Sequence, residues 1–277
     1  MSNTLLIPRE ENLLISSDPA NGAVNVSADG SYFEVQFTDG GLTLPREAIN
    51  VQVSVQEATV WWTVPNIITG VNDKMYITGP DTLDVIQNYT ITIPQGLYDL
   101  SGLNEAIARE LEQAGAKIDP DPLISLSPDE ATSKVQMRFN YATVSVDFTP
   151  NNTPRLILGF DAQVYTPIPD NPVLAPNTAL FNTVNYFLLH SDLVSRGIRF
   201  NSNYNQTIAQ ILIDVSPGSQ IVSKPFNPPK VNANELNGTT RTVLRFWLTD
   251  DENRPVNTNG EFYSARIVLS WLEPIVM

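Results

Sequence analysis

His190 is the single histidine of the chain, and Ser191, Asp192 and Ser195 follow it closely. A hydroxyl nucleophile, an imidazole base and a carboxylate that orients the base are the parts of a hydrolytic triad. Nearness along the chain does not assemble them, because consecutive side chains of a strand leave opposite faces, and the apolar run 186–189 reads as a strand. The expectation for His190 is a strand-end imidazole hydrogen-bonded to backbone. Two groups of acids invite other chemistry: Asp119 and Asp121, each before a proline, and the run Asp250, Asp251 and Glu252. Paired carboxylates hydrolyse glycosides, and clustered carboxylate oxygens hold Ca²⁺. Neither group has the EF-hand spacing or its glycine, and both lie in turn-rich sequence, so solvated loop acids are expected. With no cysteine and one histidine, a zinc set is not available. Gly40-Gly41 lacks the strand–loop–helix context of a phosphate-binding loop. The expectation is no enzyme activity, no cofactor and no metal. Trp61 and Trp62 offer flat faces for stacking; as strand neighbours one turns inward, and the other is left for a rim or an interface, where Trp is enriched.

The 277 residues suffice for one large all-β domain or two modest ones. Hydrophobic residues make up 42% of the chain, enough for a core, whereas charged residues make up 17%, low for a soluble monomer. A surface so poor in charge suits a protein that buries much of itself against neighbours. The formal net charge of −14 repels nucleic acid and anionic membranes. Residues 1–10 show neither a basic segment nor a long apolar run, so no secretory signal is expected, and no apolar run reaches the length of a membrane span.

The elements that must position these residues are mostly strands. Residues 49–56 alternate apolar and polar side chains, the pattern of a half-buried strand. Further strands are read at 75–78, 85–93, 184–190, 208–215, 243–248 and 265–271, with turn signals between them. After Pro94 the period changes: Leu103, Ile107 and Leu111 lie four apart, Asp99 or Ser101 caps, and Gly115 terminates. This is the one long helix expected, with Glu105 and Arg109 spaced to pair. A hairpin is read at 135–148 around Asn140-Tyr141, and the prolines at 167, 169, 172 and 176 suggest an extended connector. The short apolar pieces at 5–7 and 13–15 are read as edge strands or as an arm docking on a partner.

Several pieces resemble one family in order. Trp61-Trp62-Thr63-Val64-Pro65-Asn66-Ile67 is followed by Ile93-Pro94-Gln95-Gly96-Leu97-Tyr98 running to Leu103-Asn104, then Leu158-Gly159-Phe160, then Leu248-Thr249-Asp250 and Asn259-Gly260-Glu261. The set resembles the penton (vertex) or minor capsid jelly-roll proteins of virophages and related polinton-like or tailless icosahedral viruses. The resemblance runs from about Trp61 onward and leaves 1–30 uncovered.

The resemblance implies a mainly β chain: a jelly-roll β-sandwich formed by 31–93 and 177–277, a small inserted α+β unit at 94–176, and an N-terminal arm at 1–30. It implies a structural protein of the virion that forms a homopentamer at the five-fold vertices, with the major capsid protein as neighbour. The arm would reach spike, internal or membrane proteins. Head-to-tail contacts closing a ring would each bury on the order of 2,000 Å². Trp61, Trp62, Phe226, Phe262 and Tyr263 are the aromatic interface candidates, and the 225–229 loop is a contact candidate because proline cannot donate to a neighbouring strand. The alternatives are a trimeric spike-base or major capsid subunit, and a carbohydrate-binding β-sandwich, which would show a concave, aromatic-lined groove.

Overall fold

A computed structural model describes residues 4–169, 171–200 and 203–276. The chain forms two compact units, Met1–Val64 with Val184–Met277, and Pro65–Thr183. The first unit is built on eight strands: β1 (Thr4–Ser16), β2 (Tyr32–Gln36), β3 (Ile49–Trp61), β4 (Tyr186–Ser191), β5 (Thr207–Leu212), β6 (Gln220–Ser223), β7 (Val243–Thr249) and β8 (Ser264–Val276). They make two antiparallel sheets of order 1-8-3-6 and 2-7-4-5. The nesting 1 with 8, 2 with 7, 3 with 6 and 4 with 5 is that of one long ribbon folded back and rolled up, the jelly roll. The expected β-sandwich is therefore present.

Pairing in β3 shows how local sequence sets the core. Val51, Val53 and Val55 are buried and obey the alternation, but beyond them the buried residues are Ala58, Val60 and Trp62. The register against β8 slips at this point: Ile267 faces Val55 and Arg266 faces Glu57, which leaves Gln56 as the extra residue of a β-bulge. One inserted residue exchanges the faces of everything after it. Strict alternation would have sent Trp61 inward; the bulge sends Trp62. Trp62 then meets Phe187 of the opposite sheet with ring centroids 6.0 Å apart, and Phe33 meets both Phe246 and Tyr263 at 5.5 and 5.4 Å. Each such pair contributes about 0.5–1.5 kcal/mol beyond the area buried.

Residues 4–16 are not a free arm. All thirteen pair with β8 from Thr4↔Val276 to Ser16↔Ser264, making β1 the edge of its sheet, and Ala23–Val24 pairs with β2. The apolar alternation Leu13 and Ile15 toward the core finds a partner strand within the chain, so the edge-strand reading holds.

The second unit has its own core. A sheet of order Val164–Tyr165, Ser145–Asp147, Lys74–Pro80, Ile86–Thr92 and a second of order Val173–Leu174, Lys134–Phe139, Ile124–Asp129 flank the helix Leu100–Gln113. Asp99 Oδ1 accepts from Gly102 N–H at 2.7 Å to cap that helix, which buries Leu103, Ala106, Ile107 and Leu111. Three local expectations change. The insertion begins after Val64 rather than at 94, because Lys74–Pro80 pairs with Ile86–Thr92 on one side and with Ser145–Asp147 on the other. The hairpin read at 135–148 is absent, since its two halves pair in different sheets. Arg109 pairs with the adjacent Glu110 instead of Glu105.

Two of the family-like segments meet here. Asn66 donates from Nδ2 to the Tyr98 and Phe181 carbonyls at 2.7 and 3.1 Å, and its Oδ1 accepts from Tyr98 N–H at 2.9 Å. Ile67 and Gly96 exchange backbone bonds at 3.1 Å in both directions. Gly159, between buried Leu158 and Phe160, sits at φ +80° with an added Cβ only 2.3 Å from the Asn177 carbonyl oxygen, so only glycine fits. Among the described residues no helix is long and apolar enough to cross a membrane.

Candidate interaction surfaces

His190 lies at the end of β4, between β5 and β7, and is 2% exposed. Its Nε2 is 2.8 Å from Thr249 Oγ1 and its Nδ1 is 3.1 Å from Thr207 Oγ1. A neutral imidazole offers one donor and one acceptor, and a hydroxyl serves either. The ring stacks on Trp247 at 5.3 Å and 4°. The expected backbone partner is thus replaced by two threonine hydroxyls supplied by the neighbouring strands. Burial pulls the imidazole pKa down to about 4. Ser191 Oγ instead accepts from Leu193 N–H at 3.2 Å, and the Asp192 carboxylate accepts from Arg245 N–H at 2.9 Å. The residues adjacent in sequence do not assemble a triad. His190 and Trp247 do line a pocket of about 360 Å³ with Ser195, Asn205, Gln206 and Asn253.

The acid run after β7 is held internally. Asp250 Oδ1 accepts from the Glu252 and Arg254 N–H groups, both at 2.9 Å, and its Oδ2 accepts from Arg254 Nε at 2.8 Å. Arg254 also reaches Glu252 at 2.8 Å. The guanidinium takes the place a cation would occupy between these oxygens. Asp119 and Asp121 stay exposed, with their backbone carbonyls accepting from the Tyr141 hydroxyl.

The five aromatic candidates separate into two groups. Trp62 and Tyr263 are each 2% exposed and belong to the core; the Tyr263 hydroxyl donates to the Ser31 carbonyl at 2.7 Å, and burial pushes its pKa well up. Trp61 is half-buried on the outer side, Phe262 is 47% exposed, and Phe226 is fully exposed.

Phe226 owes its position to the edge of the 1-8-3-6 sheet. β6 pairs with β3 at Ala58–Trp61, and the two residues Val231–Asn232 pair with the same strand at Gln52–Val53. The chain between them, Lys224-Pro225-Phe226-Asn227-Pro228-Pro229-Lys230, lies opposite only residues 54–57 of β3 and so loops out of the ladder. Its three prolines hold φ and remove three N–H groups, so it neither joins the sheet nor offers an edge to a passing strand. The opposite edge of the same sheet is β1, where Leu14 is 82% exposed and Leu5 and Leu6 are 47% and 46% exposed. Leu14 was visible in the sequence only as part of a short apolar run; the parity of Leu13 and Ile15 was the available signal that it points outward. In the second unit, Leu83 is 80% exposed on a turn pinned by Asp81, whose Oδ1 accepts from Leu83 and Val85 N–H at 2.8 and 2.9 Å. Those bonds hold the Asp81 carboxyl below the usual carboxylate range.

A family model described as a bacterial Ig-like domain matches residues 11–114. That stretch takes in the last six residues of β1, all of β2 and β3, and the start of the second unit, and its sandwich strands are completed by strands from residue 186 onward. No curated protein matches the chain. Among solved structures, the selenomethionine-labelled mavirus penton protein is similar at 14% identity, covering 97% of this chain and 100% of that one, with a TM-score of 0.49.

Proposed function

We propose that this chain is a capsid structural protein that works by shape and contact: a vertex (penton) subunit assembling as a homopentamer and neighboured by other capsid subunits in the virion. The observation that carries the reading is that the two opposite edges of the 1-8-3-6 sheet both end in exposed apolar side chains, Phe226 at one and Leu14 at the other. Single exposed apolar side chains occur on monomers too, but Phe226 and Leu14 are among the most exposed of the chain and sit one at each edge of the sheet, as a subunit joined head to tail with its copies needs. The ordered segments around Asn66, Gly96 and Gly159, which resemble the penton family, support the same reading. So does the low charge content of 17%.

The first test is the mass of the full chain in solution across a range of concentrations. A closed pentamer is the expected result. A trimer would overturn the vertex assignment in favour of a spike-base or major capsid subunit. A monomer at every concentration would overturn self-assembly. One feature favours carbohydrate binding as a second reading, namely the pocket formed by Trp247, His190 and the amides of Asn205, Gln206 and Asn253. Indole and carboxamide groups together suit a neutral sugar, and titration with neutral monosaccharides checks it.

A further inference from the structure

We infer that the 224–230 loop of one copy docks on the β1 edge of the next, with Phe226 packed against Leu14 and Lys230 facing Glu10, which leaves the same face of the strand as Leu14. This rests on the assembly reading above and names its contact. Three observations support it.

The first is charge. The chain carries −14 overall, yet residues 220–230 contain two lysines and no acid. Lys224 is paired with Glu57 at 3.0 Å, while Lys230 is exposed and makes no ion pair among the described residues. On β1, Arg9 is paired with Glu273 at 2.7 Å, while Glu10 and Glu11 are exposed and likewise make no ion pair among the described residues. The uncompensated charges on the two edges are opposite in sign. Complementary charge of this kind selects the partner and its register.

The second is spacing. Glu10 lies four residues from Leu14 on the same face of β1, roughly 13 Å along the strand. Phe226 and Lys230 are four residues apart and span at most about 14 Å. An aromatic ring on Leu14 and an ammonium at Glu10 are therefore compatible with one placement.

The third is topology. The two patches occupy opposite edges of one sheet. A two-fold contact of the loop with itself would set lysine against lysine, so the contact is heterologous, the type that closes into rings. It is a side-chain contact, because Pro8 interrupts the N–H row of β1 and prolines 225, 228 and 229 blunt the other edge.

The test uses the full chain in native mass spectrometry and light scattering over a concentration series. Phe226→Asp and Leu14→Asp are each expected to raise the concentration needed for assembly by about tenfold or more, as loss of an interface anchor does. Lys230→Glu weakens assembly, and adding Glu10→Lys in the same chain recovers most of the loss. Melts followed by circular dichroism should match wild type, since every substituted side chain is exposed. Rings that form equally well with Phe226→Asp and Leu14→Asp would overturn the contact and leave these edges to other capsid subunits. Charge reversals that weaken assembly separately and do not rescue each other would overturn it too. A wild-type chain that stays monomeric throughout defeats the assembly reading itself, whereas wild-type rings indifferent to the variants defeat only this contact.

Discussion

Trp62 and Phe226 follow neighbouring strands of one sheet and meet opposite fates. Trp62 comes just after β3, is 2% exposed and lies against Phe187, while Phe226 stands in solvent beyond β6. The difference does not come from hydrophobicity, which favours burial for both. Trp62 is turned inward by the Gln56 bulge, within a strand whose backbone bonds continue to its own N–H, 2.9 Å from the Ser219 carbonyl oxygen. Phe226 is held outward by a proline-rich excursion that the strand pairing of its own chain cannot pull in. His190 completes the contrast, as a polar ring kept inside because two threonines meet both of its nitrogens. A side chain placed against its preference needs either a local partner, as His190 has, or an external one, as we propose for Phe226.

This contrast can be broken in order of effect. Trp62→Ala should destabilise the chain by about 3–5 kcal/mol in urea unfolding, the range for emptying a large aromatic site; a loss under about 1 kcal/mol would mean that Trp62 is not sealed by the sandwich. His190 provides a pH test. Its folded pKa of about 4 lies below the unfolded value of 6.5, so the unfolded chain binds the extra proton between these two values. Stability from this source is complete above about pH 6.5 and declines as pH falls toward 4, by about 3 kcal/mol in all. Urea titrations at pH 7.5 and 4.5 should show most of that difference in wild type, and a smaller one in His190→Gln. Equal pH dependence in the two proteins would show that His190 is not held neutral.

Asn66→Ala extends the comparison to the second unit, where one side chain holds the backbone of two other segments. Leaving the Tyr98 N–H without its partner should cost roughly 1–3 kcal/mol, read as a lower thermal midpoint. The smallest effect belongs to Phe226→Ala, which should change the stability of the isolated subunit by less than about 0.5 kcal/mol. A cost comparable to that of Trp62→Ala would place Phe226 in the fold rather than at a contact.

Much of this was legible in the sequence because it depends on short-range periodicity and backbone chemistry. The alternation at 49–55 marks β3, Asp99 caps the helix whose Leu103, Ile107 and Leu111 are buried, and the prolines at 225–229 mark a loop that avoids pairing. The β-rich class follows from the number of such runs and the turns between them. These features rest on residues a few positions apart, so no knowledge of the partner strand is required.

The tertiary structure decided everything that turns on which strands become neighbours. The nesting of β1 with β8 made an edge strand of the presumed arm, and the register of β8 against β3 placed the bulge that selected Trp62 over Trp61. His190 found Thr207 and Thr249 17 and 59 residues away. The unit boundary moved to Val64 because Lys74–Pro80 pairs with strands within the insertion. A strand of given pattern fits several partners, and its register is chosen by the side chains and hydrogen bonds of whichever strand packs beside it.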